Sequence, residues 1–438
     1  MERQSNEVRG MPALISSSRA SHWVSNRAIS SNLQEAYRRL WAGDDCRYSL
    51  PQDHDTAGIA ATARALSARL PNRIVFVDHH PHPAALLAEL AGRLRGRRFP
   101  PLYFHLYGDF TLHLKKWRGL EPLLQEEKCS VAWICASDRQ AALVRRLLPL
   151  GATGVCKCPF PVDPAAFSFD GALRARVRAD LGFREDDRVL IYTGRISLQK
   201  NSIRVLREVS RFIRTAPFPV RLLLAGSFDD IGAPFFGVNH LPGYYFQLWR
   251  RTLESLPSDV RARISHVGNV NSRRLAELYH ASDCYLSLSL HHDEDFGMAP
   301  AEALSCGNTA VLTDWGGYSS FQNAPGCCRL VSVSLGPRGL RFSSGAVQRA
   351  LLASCRQDSR DAARESRGRR FLSFFSIEKA SSDLSRIHEG APPRFRGFNP
   401  LLERLCSRSE GRALFPAGPG KDPLYHKLYR HYFSGSRN

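Results

Sequence analysis

Short runs of β-type apolar residues alternate with helical patterns twice along this chain, and a proline-rich stretch separates the two series. A strand, a helix and a further strand make the repeating unit of a parallel sheet covered on both faces, so this alternation restricts the chain to α/β architectures. In the first series Arg73–Asp78, Pro101–Tyr107 and Ser130–Cys135 read as strands, with helices over Pro83–Leu94 and Arg139–Leu147. A short amphipathic helix is expected at Leu33–Trp41, within an otherwise Ser-, Asn- and Arg-rich 1–45. Residues 156–170, CKCPFPVDPAAFSFD, carry three prolines and no periodicity and read as a linker. In the second series the strands are Arg188–Thr193, Val220–Ala225, Ile264–Val267, Cys284–Ser289 and Ala310–Thr313. The helices between them are Ser202–Arg214, Ser272–His280 and Met298–Cys306, the last stopped by Gly307.

At 438 residues, and at roughly 100–200 residues per domain, two or three domains are expected. Lys and Arg number 61 against 41 Asp and Glu, a formal charge of +20, which favours an anionic partner: a nucleotide, a phospholipid surface or a nucleic acid. Aromatic-rich recognition motifs are missing and the excess charge is spread out, which argues against nucleic acid. No apolar run approaches the ~20 residues of a membrane span, and MERQSNEVRG has no apolar core of a secretory signal. A cytoplasmic protein with 11 free thiols is the expectation, and no cysteine pairs are spaced as in a zinc site. Residues 391–438, with nine Lys or Arg and three Asp or Glu, read as a basic appendage with little core of its own.

Candidate chemistry gathers where strands of the second series end. Gly194, Gly226, Gly268 and Gly316-Gly317 all follow strands, and open α/β sheets bind ligands outside the carboxyl ends of their strands. Glycine there admits a ligand to the backbone, and the next helix offers its N-terminus to a phosphate. In Gly194-Arg195-Ile-Ser-Leu-Gln-Lys200-Asn201 two cations flank a helix start and can clamp a diphosphate, Arg195 by a fork and Lys200 as a point charge. Glu294 and Glu302 stand eight residues apart, the first in a loop and the second in a helix. A carboxylate in such a crevice accepts two hydrogen bonds from the vicinal diol of a ribose or hexose. Glu302 lies in an apolar turn and should have a partner, whereas Asp293 and Asp295 read as solvated loop acids.

These motifs carry a family resemblance. Segment 188–317 resembles the C-terminal half of glycosyltransferase family 4, the retaining GT-B enzymes of the group 1 type. The carrying residues are Gly194-Arg-(x4)-Lys-Asn201, Glu294-(x7)-Glu302 with Phe296-Gly297 between and Ala303-Leu304-(x2)-Gly307 after, and Asp314-Trp-Gly-Gly317. Phe375-Ser-(x7)-Leu384 resembles the family's helix that crosses back to the first domain. The resemblance implies two Rossmann-like domains in tandem with a nucleotide-sugar cleft between them. It implies an acceptor domain over 1–160, a donor domain over 161–370, a crossing helix over 371–390 and the appendage over 391–438. Arg195 and Lys200 would neutralise the departing diphosphate, Glu302 would hold the ribose, and Glu294 the transferred sugar. Gly194, Asn201, Gly226, Gly268, Phe296, Gly297, Met298, Gly316 and Gly317 would complete the donor site. No metal or other cofactor is implied, because the two cations replace it, and no Asp-x-Asp triplet stands in the setting a metal-dependent transferase would use.

In the first domain the match departs from the family pattern, since Met11–Ser31 lacks the Gly-Gly turn that follows the family's first strand. His105, in Phe104-His-Leu-Tyr-Gly-Asp-Phe110, is the candidate facing the donor sugar; a satisfied core histidine is the competing reading. His79 and His80 are rivals for that role, and Ser137 should cap the helix after it. The expected activity is hexosyl transfer from a UDP- or GDP-sugar to a glycan or lipid-linked acceptor, in surface polysaccharide or glycoconjugate synthesis. The cationic surface would hold the enzyme to anionic lipid at the inner face of the membrane. The alternative is a catalytically inactive GT-B scaffold or partner subunit.

Overall fold

The computed structural model describes residues 10–17, 24–108, 110–337, 339–408 and 413–432. The chain divides into two units. The first comprises residues up to Ala136, then Ala141–Pro161 and Ala380–Ser407; the second comprises Ser137–Gln140, Val162–Lys379 and the residues from Arg408 on.

The first unit is built on six strands, β1 (Ala13–Ser17), β2 (Cys46–Leu50), β3 (Ile74–Phe76), β4 (Leu102–Leu106), β5 (Val131–Cys135) and β6 (Val155–Lys157). They run parallel in the order β2-β1-β3-β4-β5-β6, a doubly wound sheet that reverses beside β1. Phe76, Phe104 and Trp133 stand on neighbouring strands and stack at centroid separations of 5.0 and 5.3 Å. The helix expected at Leu33–Trp41 begins earlier, at Val24, and is anchored by Ile29, Leu33, Ala36 and Tyr37 on one face. The stretch where the family's Gly-Gly turn would fall includes residues 18–23, which lie outside the described residues, as does Asp109. The expected linker at 156–170 is in part a strand, because Val155–Lys157 pairs with Trp133–Cys135 before the prolines begin.

The second unit holds seven strands: β7 (Arg188–Thr193), β8 (Val220–Ala225), β9 (Ile264–His266), β10 (Cys284–Ser287), β11 (Thr309–Asp314), β12 (Cys328–Gly336) and β13 (Gly339–Phe342). Their order is β13-β12-β11-β10-β7-β8-β9, and β13 alone is antiparallel. The chain leaves β7 towards β8 and later returns on its other side at β10, so the crevice between β7 and β10 is the topological switch point where ligands bind in such sheets. The helix Ser202–Thr215 buries Val205, Leu206, Val209, Phe212 and Ile213 against one face. Below the carboxyl edge, Asp283 receives three arginines, Arg174 at 2.6 Å, Arg178 at 3.4 Å and Arg364 at 3.3 Å. The same guanidiniums reach the carbonyls of His280, Ala281 and Ser282 at the end of the helix Ser272–Ala281, where a cation opposes the helix dipole.

The stretch 391–438, expected to be an appendage, is in its described residues part of the two units. Val131 donates its amide to Pro393 O and Phe395 to Cys129 O, extending the first unit, where Leu402 and Leu405 are fully buried. In the second unit the helix Pro423–Tyr429 buries Leu424, Tyr425, Leu428 and Tyr429. The aromatic and leucine side chains that lacked periodicity in sequence fill surfaces of units made elsewhere in the chain. All eleven cysteines are free thiols, and among the described residues no helix is long and apolar enough to cross a membrane.

Candidate active site

The site grows from the carboxyl ends of β7, β8 and β10. Beyond Thr193 the backbone turns at Gly194, whose amide donates to Ala225 O at 3.0 Å, while Gly226 donates to Gly268 O at 2.8 Å. Gly226 has φ +143°, and a Cβ there would fall 2.0 Å from Gly194 O, so no other residue fits. Three of the glycines singled out in sequence thus form one row along adjacent strand ends, and the space that a Cβ would take at Gly194 and Gly268 is open.

Arg195 and Lys200 leave the turn after Gly194. Arg195 donates to Asp229 Oδ2 at 2.5 Å and to Gln199 Oε1 at 2.9 Å, and Lys200 Nζ donates to Glu294 Oε2 at 2.7 Å. Each cation is therefore held by a carboxylate, and each remains partly open, with 19% and 22% of its side chain exposed. Asn201 opens the helix Ser202–Thr215 with φ 56°, and its side-chain amide donates to Leu288 O at 3.1 Å, tying the turn after β7 to the loop after β10.

The two glutamates occupy different electrostatic settings. Burial pushes Glu294 up, but Lys200 and the other groups around it outweigh that, and its carboxyl stays below the usual carboxylate range. Among the described residues no cation pairs with Glu302. It lies in the helix Met298–Ser305, and burial pushes its pKa up to about 8 against the smaller opposing pull of the Tyr279 hydroxyl, which donates at 3.3 Å. Tyr279 in turn lies 2.7 Å from Thr193 Oγ1 at the end of β7. Lys200 thus favours the charged form of Glu294, and burial favours the neutral form of Glu302.

The backbone of the Glu294 loop is gripped by the turn after β11. Gly317 donates to Glu294 O at 2.6 Å, and a Cβ on Gly317 would fall 2.1 Å from Asp295 O, so the service of this glycine pair is to let two backbones meet. Gly316 approaches Glu294 O in the same way. Phe296 packs on Phe321 and Phe375, and Gly297 and Met298 begin the Glu302 helix. Asp293 and Asp295, expected to be solvated, are 8% and 7% exposed, because the C-terminal segment and the turn after β11 enclose the loop. A cavity of about 430 Å³ opens beside Gln199, Asn201, His291 and His292, with Arg204 and Arg341 on its wall. Among the described residues no group of three or more His, Cys, Asp or Glu is arranged to hold a metal ion.

His105 belongs to the first unit. It lies within β4 with no exposed surface, its Nε2 is 2.8 Å from the Tyr37 hydroxyl, and burial pushes its pKa down to about 3. Its Nδ1 is buried and makes no hydrogen bond among the described residues, so the ring is satisfied on one side only. His79 is also buried and accepts from the Tyr107 amide at 3.3 Å, whereas His80 is partly open beside Asp78, 3.6 Å away. Ser137 caps its helix as expected, accepting from Gln140 N at 3.2 Å. Sequence reasoning missed Asp229, Gln199 and Tyr279. The acidic pair Asp229-Asp230, three residues past the glycine that ends β8, was a signal for the first of these; Tyr279 looked like an ordinary core aromatic.

Comparison with known proteins points to the same segment. Residues 174–324 match the family model for Glycosyl transferases group 1. The D-inositol 3-phosphate glycosyltransferase of Xylanimonas cellulosilytica is 30% identical over 150 residues, which are 34% of this chain and 31% of that protein. Its namesake from Rhodococcus erythropolis is 28% identical over 145 residues, 33% of this chain and 30% of the relative. The match thus spans about a third of the length of these curated relatives. Likeness of fold extends further. Anabaena Alr3699/HepE, solved with UDP and glucose, superposes with a TM-score of 0.58 at 14% identity, over 86% of this chain and 98% of that one. A glycosyltransferase from Rickettsia africae gives 0.61 at 11% identity, again over 86% and 98%. In fold the chain is a pair of Rossmann-like α/β units of the GT-B type, and its segment 174–324 is similar to the Glycosyl transferases group 1 family.

Proposed function

We propose that this protein is a retaining glycosyltransferase that moves a hexose from a UDP-sugar to a glycan or lipid-linked acceptor. The observation that carries the reading is the constellation at the β7–β10 switch point: two partly open cations on one turn, a charged Glu294 against Lys200, and a neutral, buried Glu302 on the next helix. Arg195 and Lys200 exchange their carboxylate partners for the donor diphosphate and stabilise the charge that develops on it as the glycosidic bond breaks. Glu302 accepts hydrogen bonds from the ribose diol, and Glu294, freed from part of its contact with Lys200, receives hydroxyls of the sugar. No metal is required, since the two cations supply the positive charge. The UDP and UDP-glucose complexes of the Anabaena neighbour favour uridine as the base.

The acceptor is polymeric or lipid-linked, and the formal charge of +20 favours peripheral binding to anionic lipid. Sedimentation with phosphatidylserine vesicles, weakening as salt rises, is the result expected for that contact; equal binding to neutral vesicles contradicts it. The catalytic reading is tested by following UDP release from UDP-glucose in Arg195→Ala and Lys200→Ala. Both should lose about 10²- to 10³-fold in kcat, the range seen when one group that stabilises developing charge is removed. Near-normal turnover in both variants would remove the assignment.

A further inference from the structure

The loop that carries Glu294 has no strand partner over His291–Asp295, so other groups must hold it in place. One side is held by the turn after β11, where Trp315 Nε1 donates to His291 O at 2.6 Å and Gly317 to Glu294 O. The other side is held by the C-terminal segment 413–432, which begins 71 residues after the donor sheet's last strand ends at Phe342. His292 is 6% exposed, and its ring lies in an aromatic cage. Phe235 and Phe236 stand 4.8 and 5.0 Å from it, Tyr429 5.1 Å and Tyr425 5.3 Å. The Tyr425 hydroxyl is 3.0 Å from His292 Nε2, and the Tyr429 hydroxyl donates to Asp293 Oδ1 at 3.5 Å. The segment is pinned in turn, since Phe415 donates its amide to Phe235 O at 2.7 Å, and Tyr425 packs on Phe415 and Tyr429. Pro419 of the same segment contributes to the wall of the cavity that His291 and His292 line.

Packing alone would be served as well by phenylalanine. Two tyrosine hydroxyls directed at two consecutive residues of one loop, immediately before Glu294, are a polar fixture. We propose that Tyr425 and Tyr429 are positioning residues for the donor sugar: they fix His292 and Asp293, and through them the reach of Glu294, so that 413–432 is part of the donor site. The inference rests on the reading of Glu294 as the residue that receives sugar hydroxyls. It separates two parts of the donor. The nucleotide is held by Arg195, Lys200 and Glu302, whereas the hexose depends on the loop.

The test uses the full chain as wild type, Tyr425→Phe, Tyr429→Phe and the double variant. Affinities are measured by calorimetry for two matched pairs, UDP with UDP-glucose and GDP with GDP-mannose, beside thermal unfolding of each protein. The wild type should bind one nucleotide-sugar more tightly than its nucleotide. Each single variant should weaken the sugar-bearing ligand by about 2- to 12-fold, the worth of one net hydrogen bond, and leave the bare nucleotide within twofold. Equal losses for both ligands, or a large fall in melting temperature that accounts for them, would reduce the tyrosines to structural residues and overturn the inference. So would unchanged affinity in the double variant. A wild type that binds none of the four ligands would overturn the reading of the donor site itself, and this inference with it.

Discussion

Glu302→Gln isolates the cost of the buried acid. In the folded protein the Glu302 carboxyl is raised from the ordinary 4.5 to about 8, with burial as the largest cause. Because the folded pKa lies above the unfolded one, the native state binds the extra proton and stability falls as pH rises between the two values. The slope is about 1.4 kcal/mol per pH unit for one proton. Below pH 4.5 the group costs nothing. At pH 7 it costs about 3 kcal/mol, and above pH 8 the loss levels off near 5 kcal/mol. Glutamine keeps the size of the side chain and a carbonyl to accept from Tyr279, but it has no proton to lose. The melting temperatures of wild type and variant should therefore coincide near pH 4.5 and diverge as pH rises. The variant should be higher by about 6–12 °C at pH 7, at roughly 2–4 °C per kcal/mol for a unit of this size. Thermal unfolding from pH 4.5 to 8.5 measures this directly. Parallel curves, or a gap that narrows with pH, would refute the electrostatic account of Glu302.

The same residue links nucleotide binding to pH. If the ribose diol takes the ionised form, binding releases a proton from Glu302, UDP affinity should rise as pH climbs to about 8, and Glu302→Gln should flatten that profile. Asp283→Ala leaves the buried Arg178 and Arg364 and the half-buried Arg174 without their shared carboxylate and should cost about 3–5 kcal/mol, seen as a fall of about 6–20 °C in melting temperature. Asp283→Asn, which keeps hydrogen-bond acceptance but not charge, should lie between. Asp229→Asn weakens the hold on Arg195 and should tighten UDP binding, because the diphosphate no longer competes with a full carboxylate; weaker binding would mean that Asp229 orients Arg195 for its ligand.

Sequence reading succeeded where burial leaves a periodic or continuous signature. Val220–Ala225 and Arg188–Thr193 are covered on both faces over most of their length, so apart from Arg221, Arg188 and Thr193 they read as apolar runs followed by glycine, and their bounds agree with the strands. Edge strands carry no such mark. Cys46–Leu50 alternates half-exposed and exposed residues, and Val155–Lys157 is three residues long beside prolines; neither stood out. The helix from Val24 was cut short because its first turns, rich in Ser and Asn, are weak helix formers and are held by packing. The placement of the candidate residues was legible, since Gly194-Arg195 and Glu294-(x7)-Glu302 are local patterns next to strand ends. Their pairings were not. Lys200 meets Glu294 across 94 residues, and Arg195 meets Asp229 across 34, contacts that only strand order creates. The burial of Asp293 and Asp295 and the enclosure of His105 likewise depend on segments far away in the chain.

A thermal-shift panel tests the central claim most directly. UDP, GDP, ADP and their common sugars are presented, in EDTA, to wild type and to Glu302→Ala. The account predicts that UDP and one UDP-sugar stabilise the wild type without added metal and do not stabilise the variant. Stabilisation by none of the nucleotides, or equal stabilisation of both proteins, would contradict a donor site built around Glu302.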